Sequence, residues 1–186
     1  HADQFAAFLT YTALNLGEIF TTQELAHATR ALPIEGLQGT AQTLVLALEG
    51  AGEQRNAYWH NRVLPYFKFI WPKSVDVITP AISESLARLC VEAKEAFPEA
   101  FGQLKHWLKP VNHPDYLIDR LSESTIPRQF PSETLMFLNS IIGDDAQWLP
   151  QELGQCLEEI KRANMQLAKD ERYVRLTDLL RRRGIS

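Results

Sequence analysis

The stretch Thr79-Pro80-Ala81-Ile82-Ser83-Glu84-Ser85-Leu86-Ala87-Arg88-Leu89-Cys90-Val91-Glu92-Ala93-Lys94-Glu95-Ala96 decides the fold class. Ile82, Leu86, Leu89, Ala93 and Ala96 recur at intervals of four and three, the spacing that lines one face of an α-helix. Thr79 is an N-cap, and Pro80 stands in the first turn, where its missing N–H leaves no helix bond unmade. From here to the C-terminus the same unit, a turn rich in Pro, Ser, Thr or Asp followed by an amphipathic segment, returns roughly every 15–20 residues.

Downstream, Phe97-Pro98-Glu99 restarts the pattern through Phe101, Leu104 and Leu108 to Pro110, and His113-Pro114-Asp115 opens a shorter helix through Leu117 and Leu121. Ile126 to Phe130 reads as a loop or a single turn. Pro131-Ser132-Glu133 then begins a helix carrying Leu135, Leu138 and Ile142, stopped by Gly143-Asp144-Asp145. Leu149-Pro150 leads into a long helix with Leu153, Leu157 and Ile160, continuing past Asn164 to Met165 or Leu167. A last helix from about Lys169 turns Tyr173, Leu176 and Leu180 inward and ends at Gly184.

Upstream, the spacing predicts a helix over Asp3 to Leu16 with Phe5, Phe8, Leu9, Thr12 and Leu16 on one face and Gly17 at its end. A capping box of Thr21 and Glu24 begins a second helix to about Leu32. Pro33 to Gly39 reads as a turn, and Thr40 caps a third helix through Leu44, Val45, Leu48 and Ala51. The aromatic run Tyr58 to Pro72 belongs to a long helix from about Gln54 that Pro65 should kink or divide. The Val/Ile pairs at 75–78 and 141–142 are too short and too closely bounded by helix signals for strands. The expected fold is therefore all-α, with eight or nine helices in antiparallel pairs stacked as an α-solenoid or HEAT-like array. Residues 1–186 form one helical domain, with 1–72 and 73–186 as candidate halves.

The bulk numbers are those of an ordinary globular chain: 186 residues, 45% hydrophobic and 23% charged, long enough for one good core. No uncharged stretch near the start is long enough to span a bilayer. Cys90 and Cys156 stand alone in apolar helical patterns with no metal or redox spacing, which reads as buried small hydrophobes in a reducing cytoplasm. A chain that opens with His1 while its first helical pattern is under way by Phe5 reads as an excised or C-terminal piece of a larger protein. The net charge of −4 is uneven. Eight Lys/Arg against three acids leave +5 from Lys161 onward and −9 elsewhere. Arg181, Arg182 and Arg183 suit the negative end of the last helix, and they could also orient the chain on a partner.

Local catalytic signatures are missing: there is no phosphate-cradling glycine loop, no HExxH, no GxSxG and no Cys/His zinc spacing. The expectation is no catalytic residue, no cofactor and no metal. The best candidate surface is Trp59, Arg62, Tyr66 and Trp71, in which a guanidinium could stack on rings and offer donors to an acidic group. Alternatively Arg62 pairs with an internal carboxylate while the rings fill the junction between two halves of the domain. A helical enzyme with a site assembled from His60, Arg62, Glu84 and Glu92 is a second reading, because bundles build sites across facing helices. Nucleic-acid binding is a third, but the aromatics lie in an acidic background far from the arginines.

Several motifs between residues 58 and 186 carry a family resemblance: Trp71-Pro72, Ala96-Phe97-Pro98-Glu99-Ala100, the Leu-rich helix from Pro131 to Ile142, Trp148-Leu149-Pro150, and Tyr173 to Gly184. This part resembles an uncharacterised bacterial C-terminal helical domain that stands behind sirtuin-like NAD-consuming domains in phage-defence proteins. The resemblance implies that NAD hydrolysis belongs to another part of the parent chain, and that this piece senses a phage component, mediates assembly or restrains the enzyme. The partners expected are thus proteins: parent-chain domains, a phage component, or a second copy in a homo-oligomer. Taken together, the expectation is a non-enzymatic helical protein-interaction module.

Overall fold

A helix whose inward positions are small can lie close against its neighbour, and this governs the first third of the chain. The computed structural model describes residues 1–15, 22–31, 33, 36–71, 78–146 and 149–183. Every regular element among them is helical, and no strand occurs among them. The chain divides into two compact units, His1–Ala96 and Phe97–Ser186, so the division falls after Ala96 rather than after residue 72.

The first unit contains α1 (Ala2–Asn15), α2 (Thr22–Arg30), α3 (Gly36–Gly50), α4 (Arg55–Tyr58), α5 (Leu64–Ile70) and α6 (Pro80–Glu92). Here α1 lies against α2 and α3, α2 against α5, and α3 against α6. The inward face of α1 is Ala6, Leu9, Thr10, Thr12, Ala13 and Leu14. Phe5 and Phe8, expected on the buried face, are instead 53% and 62% exposed. The reason is the crossing with α3: a Cβ added at Gly39 would stand 2.1 Å from the backbone oxygen of Asp3, a separation that no side chain fits. Small residues make the seam and the large rings turn outward. The helix α3 also starts four residues before Thr40, at Gly36, so the expected turn over 33–39 is shorter than the sequence suggested. The expected capping box at Thr21, the helix end at Leu16-Gly17 and the Trp148 turn lie outside the described residues.

Between α4 and α5 the helix widens instead of breaking. Trp59–Val63 is π-helical, and the N–H of Leu64 reaches the carbonyl of Trp59 five residues back. Pro65 follows at the start of α5, where the widened turn accommodates its ring and its missing N–H. The capping prediction for α6 agrees with the structure: Thr79 Oγ1 accepts from the N–H of Ile82 at 3.3 Å.

The second unit contains α7 (Phe97–Leu104), α8 (Asp115–Ser122), α9 (Ile126–Gln129), α10 (Pro131–Ile141), α11 (Glu152–Ala163) and α12 (Glu171–Arg182). The helix α11 is central, packed on α8, α9, α10 and α12. It stops at Ala163 rather than continuing through Met165, because Asn164 is extended (φ −148°, ψ 96°) and its side chain accepts the N–H of Gln166 at 3.1 Å. Phe97, Phe101 and Phe137 fill the core beside α7 and α10, with Phe137 edge-on to Phe97 at 5.5 Å between ring centres.

Gly39→Ala should force α1 and α3 apart and destabilise the first unit by about 1–3 kcal/mol, the usual cost of overpacking. Urea unfolding of the two chains checks it. An unchanged midpoint would show that the crossing is looser than the structure has it.

Candidate functional site

The second unit carries a groove of about 960 Å³ at the surface between α9, α11, α12 and the end of α8. Its floor is apolar, made of Leu157, Tyr173 and Leu180. Its walls carry Arg128, Arg162 and Arg181, two carboxylates, Glu158 and Glu159, and the hydroxyls of Ser122, Ser124 and Thr125. These positions follow from helical spacing: Glu158, Arg162 and Gly154 are four apart along α11, and Tyr173, Thr177 and Arg181 are four apart along α12. Gly154 leaves the space above its backbone open, since a Cβ there would meet nothing within 4 Å.

Most of the wall charges are paired along their own helix. Arg162 meets Glu159 at 3.0 Å, Lys161 meets Glu158 at 3.3 Å, and Arg181 meets Asp178 at 2.8 Å. Such exposed pairs are typically worth about 0.2–1 kcal/mol, so an incoming carboxylate can exchange with the internal one at little cost. Burial, aided by the carboxylate of Glu158, pushes the Tyr173 phenol above its ordinary range, which keeps it a hydrogen-bond donor.

Fixed interactions hold the α12 wall in place. Arg175 donates from Nε to Asp144 at 2.9 Å, from Nη1 to Asn139 at 3.1 Å and to the carbonyl of Ile142. Asp170 caps the helix by accepting from the N–H of Arg172 at 2.9 Å and pairs with its guanidinium at 2.6 Å. The Arg172 side chain beside it, followed by that N–H, lowers the Asp170 carboxyl to about 2.

The residues singled out from sequence separate in the structure. Trp59 and Tyr66 are fully buried and Trp71 nearly so, stacked on Phe67 at 4.8 Å, which corrects their assignment to an interaction surface. Arg62 is exposed. With π-type bonding each residue advances by less than the ~100° of an α-helix, so Val63 instead of Arg62 rejoins the face of Trp59. Arg181, Arg182 and Arg183 are exposed, and Arg181 alone of the three lines the groove. Arg183 donates to the carbonyl of Ala146 at 2.7 Å.

The first unit does hold an internal carboxylate, Glu92, only 2% exposed, and it pairs with Arg55 at 2.8 Å. Arg55 also reaches the carbonyl of Glu49 at 3.1 Å, and Glu49 pairs with Arg88 at 3.0 Å. Of the four residues considered for an assembled catalytic site, Glu92 is thus occupied in this ion pair and His60 lies exposed against the carbonyl of Asn56 at 2.8 Å. Both cysteines are buried, and burial pushes the Cys90 and Cys156 thiols up, the latter to about 12. Among the described residues no cluster of three or more His, Cys, Asp or Glu could hold a metal ion, and no helix is long and apolar enough to cross a membrane.

Compared with protein-family models, curated proteins and solved structures, the chain matches none of them.

Arg55→Ala should destabilise the first unit by about 3 kcal/mol by stripping the buried Glu92 of its guanidinium, while Arg62→Ala should stay within about 0.5 kcal/mol of the parent. Thermal unfolding of both variants checks the contrast, and equal effects would sink it. For α12, Asp170→Ala should cost about 1 kcal/mol at neutral pH. The folded carboxyl titrates below its ordinary 3.8, so its contribution is full above about pH 5 and lost as pH falls through about 2. Denaturant curves at several pH values should show the gap between parent and variant narrowing on acidification.

Proposed function

We propose that this chain is a non-enzymatic helical interaction module and that the groove of its second unit receives an acidic, amphipathic peptide segment of a partner protein. The observation that carries the reading is the layering of the groove, three guanidinium groups above a floor of Leu157, Tyr173 and Leu180. That arrangement suits an apolar side chain flanked by carboxylates, the geometry of a helix or extended segment laid in a cleft. Guanidinium groups also bind carboxylates in a two-pronged fashion, which fixes the orientation of the guest. The hydroxyls of Ser122, Ser124 and Thr125 along one wall can serve the backbone of such a segment.

The setting we propose is the one the family resemblance implies: a bacterial anti-phage protein whose NAD-consuming part lies elsewhere in the parent chain. The partner segment then belongs to the phage component that triggers it. We further propose that the helices of each unit continue as a HEAT-like stack. In support, α1 touches both α2 and α3, and α11 touches its neighbours in sequence on each side, as layered helix pairs do.

The test is a titration of the isotope-labelled chain with an acidic peptide alternating Leu and Glu, followed by amide chemical shifts. Shifts should be confined to residues 122–125, α9, α11 and α12, and a peptide with Lys in place of Glu should produce none. Gly154→Leu, which fills the groove at a position with room for a side chain, should abolish the shifts without lowering the melting temperature. Binding that survives Gly154→Leu, or turnover of NAD or nucleotides by the chain itself, would overturn the reading.

A further inference from the structure

The rings that α1 turns away from its seam form a second surface, on the first unit. Phe5, Phe8 and Tyr11 are spaced three apart and are 53%, 62% and 57% exposed, and Leu46 on the neighbouring α3 is 63% exposed. Between the two helices runs a groove of about 620 Å³, with Ala7, Phe8 and Tyr11 on one bank and Thr43, Leu46 and Ala47 on the other. The sequence of this face is distinctive: residues 4–15 and 36–48 contain no charged side chain at all. Two adjacent helices whose only charges, Asp3 and Glu49, stand at their ends, with large rings outside and small residues inside, are patterned for burial on both sides.

We infer that this face is a self-association surface, joining two copies of the chain about a two-fold axis with the α1 rings of each copy seated in the α1–α3 groove of the other. Two observations select a second copy as the occupant. An uncharged face brings no like charges together when it meets itself, whereas a surface built for a different protein ordinarily carries charges that choose the partner. The area also fits. The four exposed side chains offer on the order of 400 Å² per copy, taking about 200 Å² for a whole aromatic side chain. That is about half of the roughly 800 Å² per partner of a standard interface, the size range of transient contacts. A contact of that size belongs with weak, reversible associations. The ridge of Phe8 and Tyr11 beside its own groove supplies the knob and the hole that a self-complementary contact requires.

The surface is independent of the peptide groove, so either reading can fail alone. Sedimentation velocity of the 186-residue chain tests it, run up to about 0.5 mM so that a weak contact can form. The expected result is a monomer–dimer equilibrium that reducing agent does not alter, because Cys90 and Cys156 are both buried. Phe8→Glu and, separately, Leu46→Glu should each shift the chain to monomer at every concentration. Both positions are exposed, so circular dichroism and melting temperature at low concentration should match the parent. A parent chain that stays monomeric throughout overturns the inference, as does a dimer that survives both charged variants.

Discussion

A hydroxyl inside a helical core has to place its proton, and this constraint sets the register of the first unit. Thr10 and Thr29 return theirs to their own helices, at the carbonyls of Ala6 (2.8 Å) and Leu25 (2.9 Å). The phenol of Tyr66 joins them: it lies 2.7 Å from Thr29 Oγ1 and 3.4 Å from Thr10 Oγ1, and Thr40 Oγ1 stands as an acceptor 3.4 Å from Thr10 Oγ1. A buried polar group left without a partner costs about 1–3 kcal/mol. Sliding α5 by a turn would incur that cost at the Tyr66 hydroxyl. Tyr66 thereby ties its own helix to α1, α2 and α3, and burial holds its phenol above the ordinary range, protonated and able to donate.

That anchorage explains the widened helix before it. Trp59 and Tyr66 both have to face the core across seven residues that include Pro65. The π-type turn absorbs the proline and still delivers both rings to the interior, with Val63 between them. Arg62 is left outside. The guanidinium that enters the core is Arg55, about two turns earlier, where the 3₁₀ segment Gly52–Gln54 re-aims the chain after α3.

How much of this could be read from sequence depends on which force dominates each element. In the second unit burial of large aliphatic side chains decides the outcome, and the three-and-four spacing of Leu153, Leu157 and Ile160, or of Tyr173, Leu176 and Leu180, marks the inward faces correctly. In α1 close backbone approach dominates, so the small residues face in, and a rule that places the largest apolar residues inside selects Phe5 and Phe8 wrongly. The helix α3 gives the same lesson at its start: Gly36 and Gly39 look like turn residues, yet both are helical, and at Gly39 only glycine fits the crossing. The pairing of Arg55 with Glu92 links positions 37 residues apart and leaves no trace in local spacing.

The groove was legible only at one edge. Arg181 stood out because it belongs to a run of arginines, but Arg128, Arg162 and the hydroxyls of 122–125 come from separate helices that meet only in the folded unit. A cleft is defined by absent volume, and its best sequence signal is Gly154, a residue of low helix propensity in the interior of a strongly amphipathic helix. With no Cβ contact to explain that glycine, its effect is to keep the wall low beside Leu157. The two surfaces thus obey different physics. Charge exchange at the groove is screened by salt, so its selectivity lies in where the arginines sit. Residues 4–15 and 36–48 of the α1–α3 face carry no charge to screen, and there shape and buried area determine what it holds.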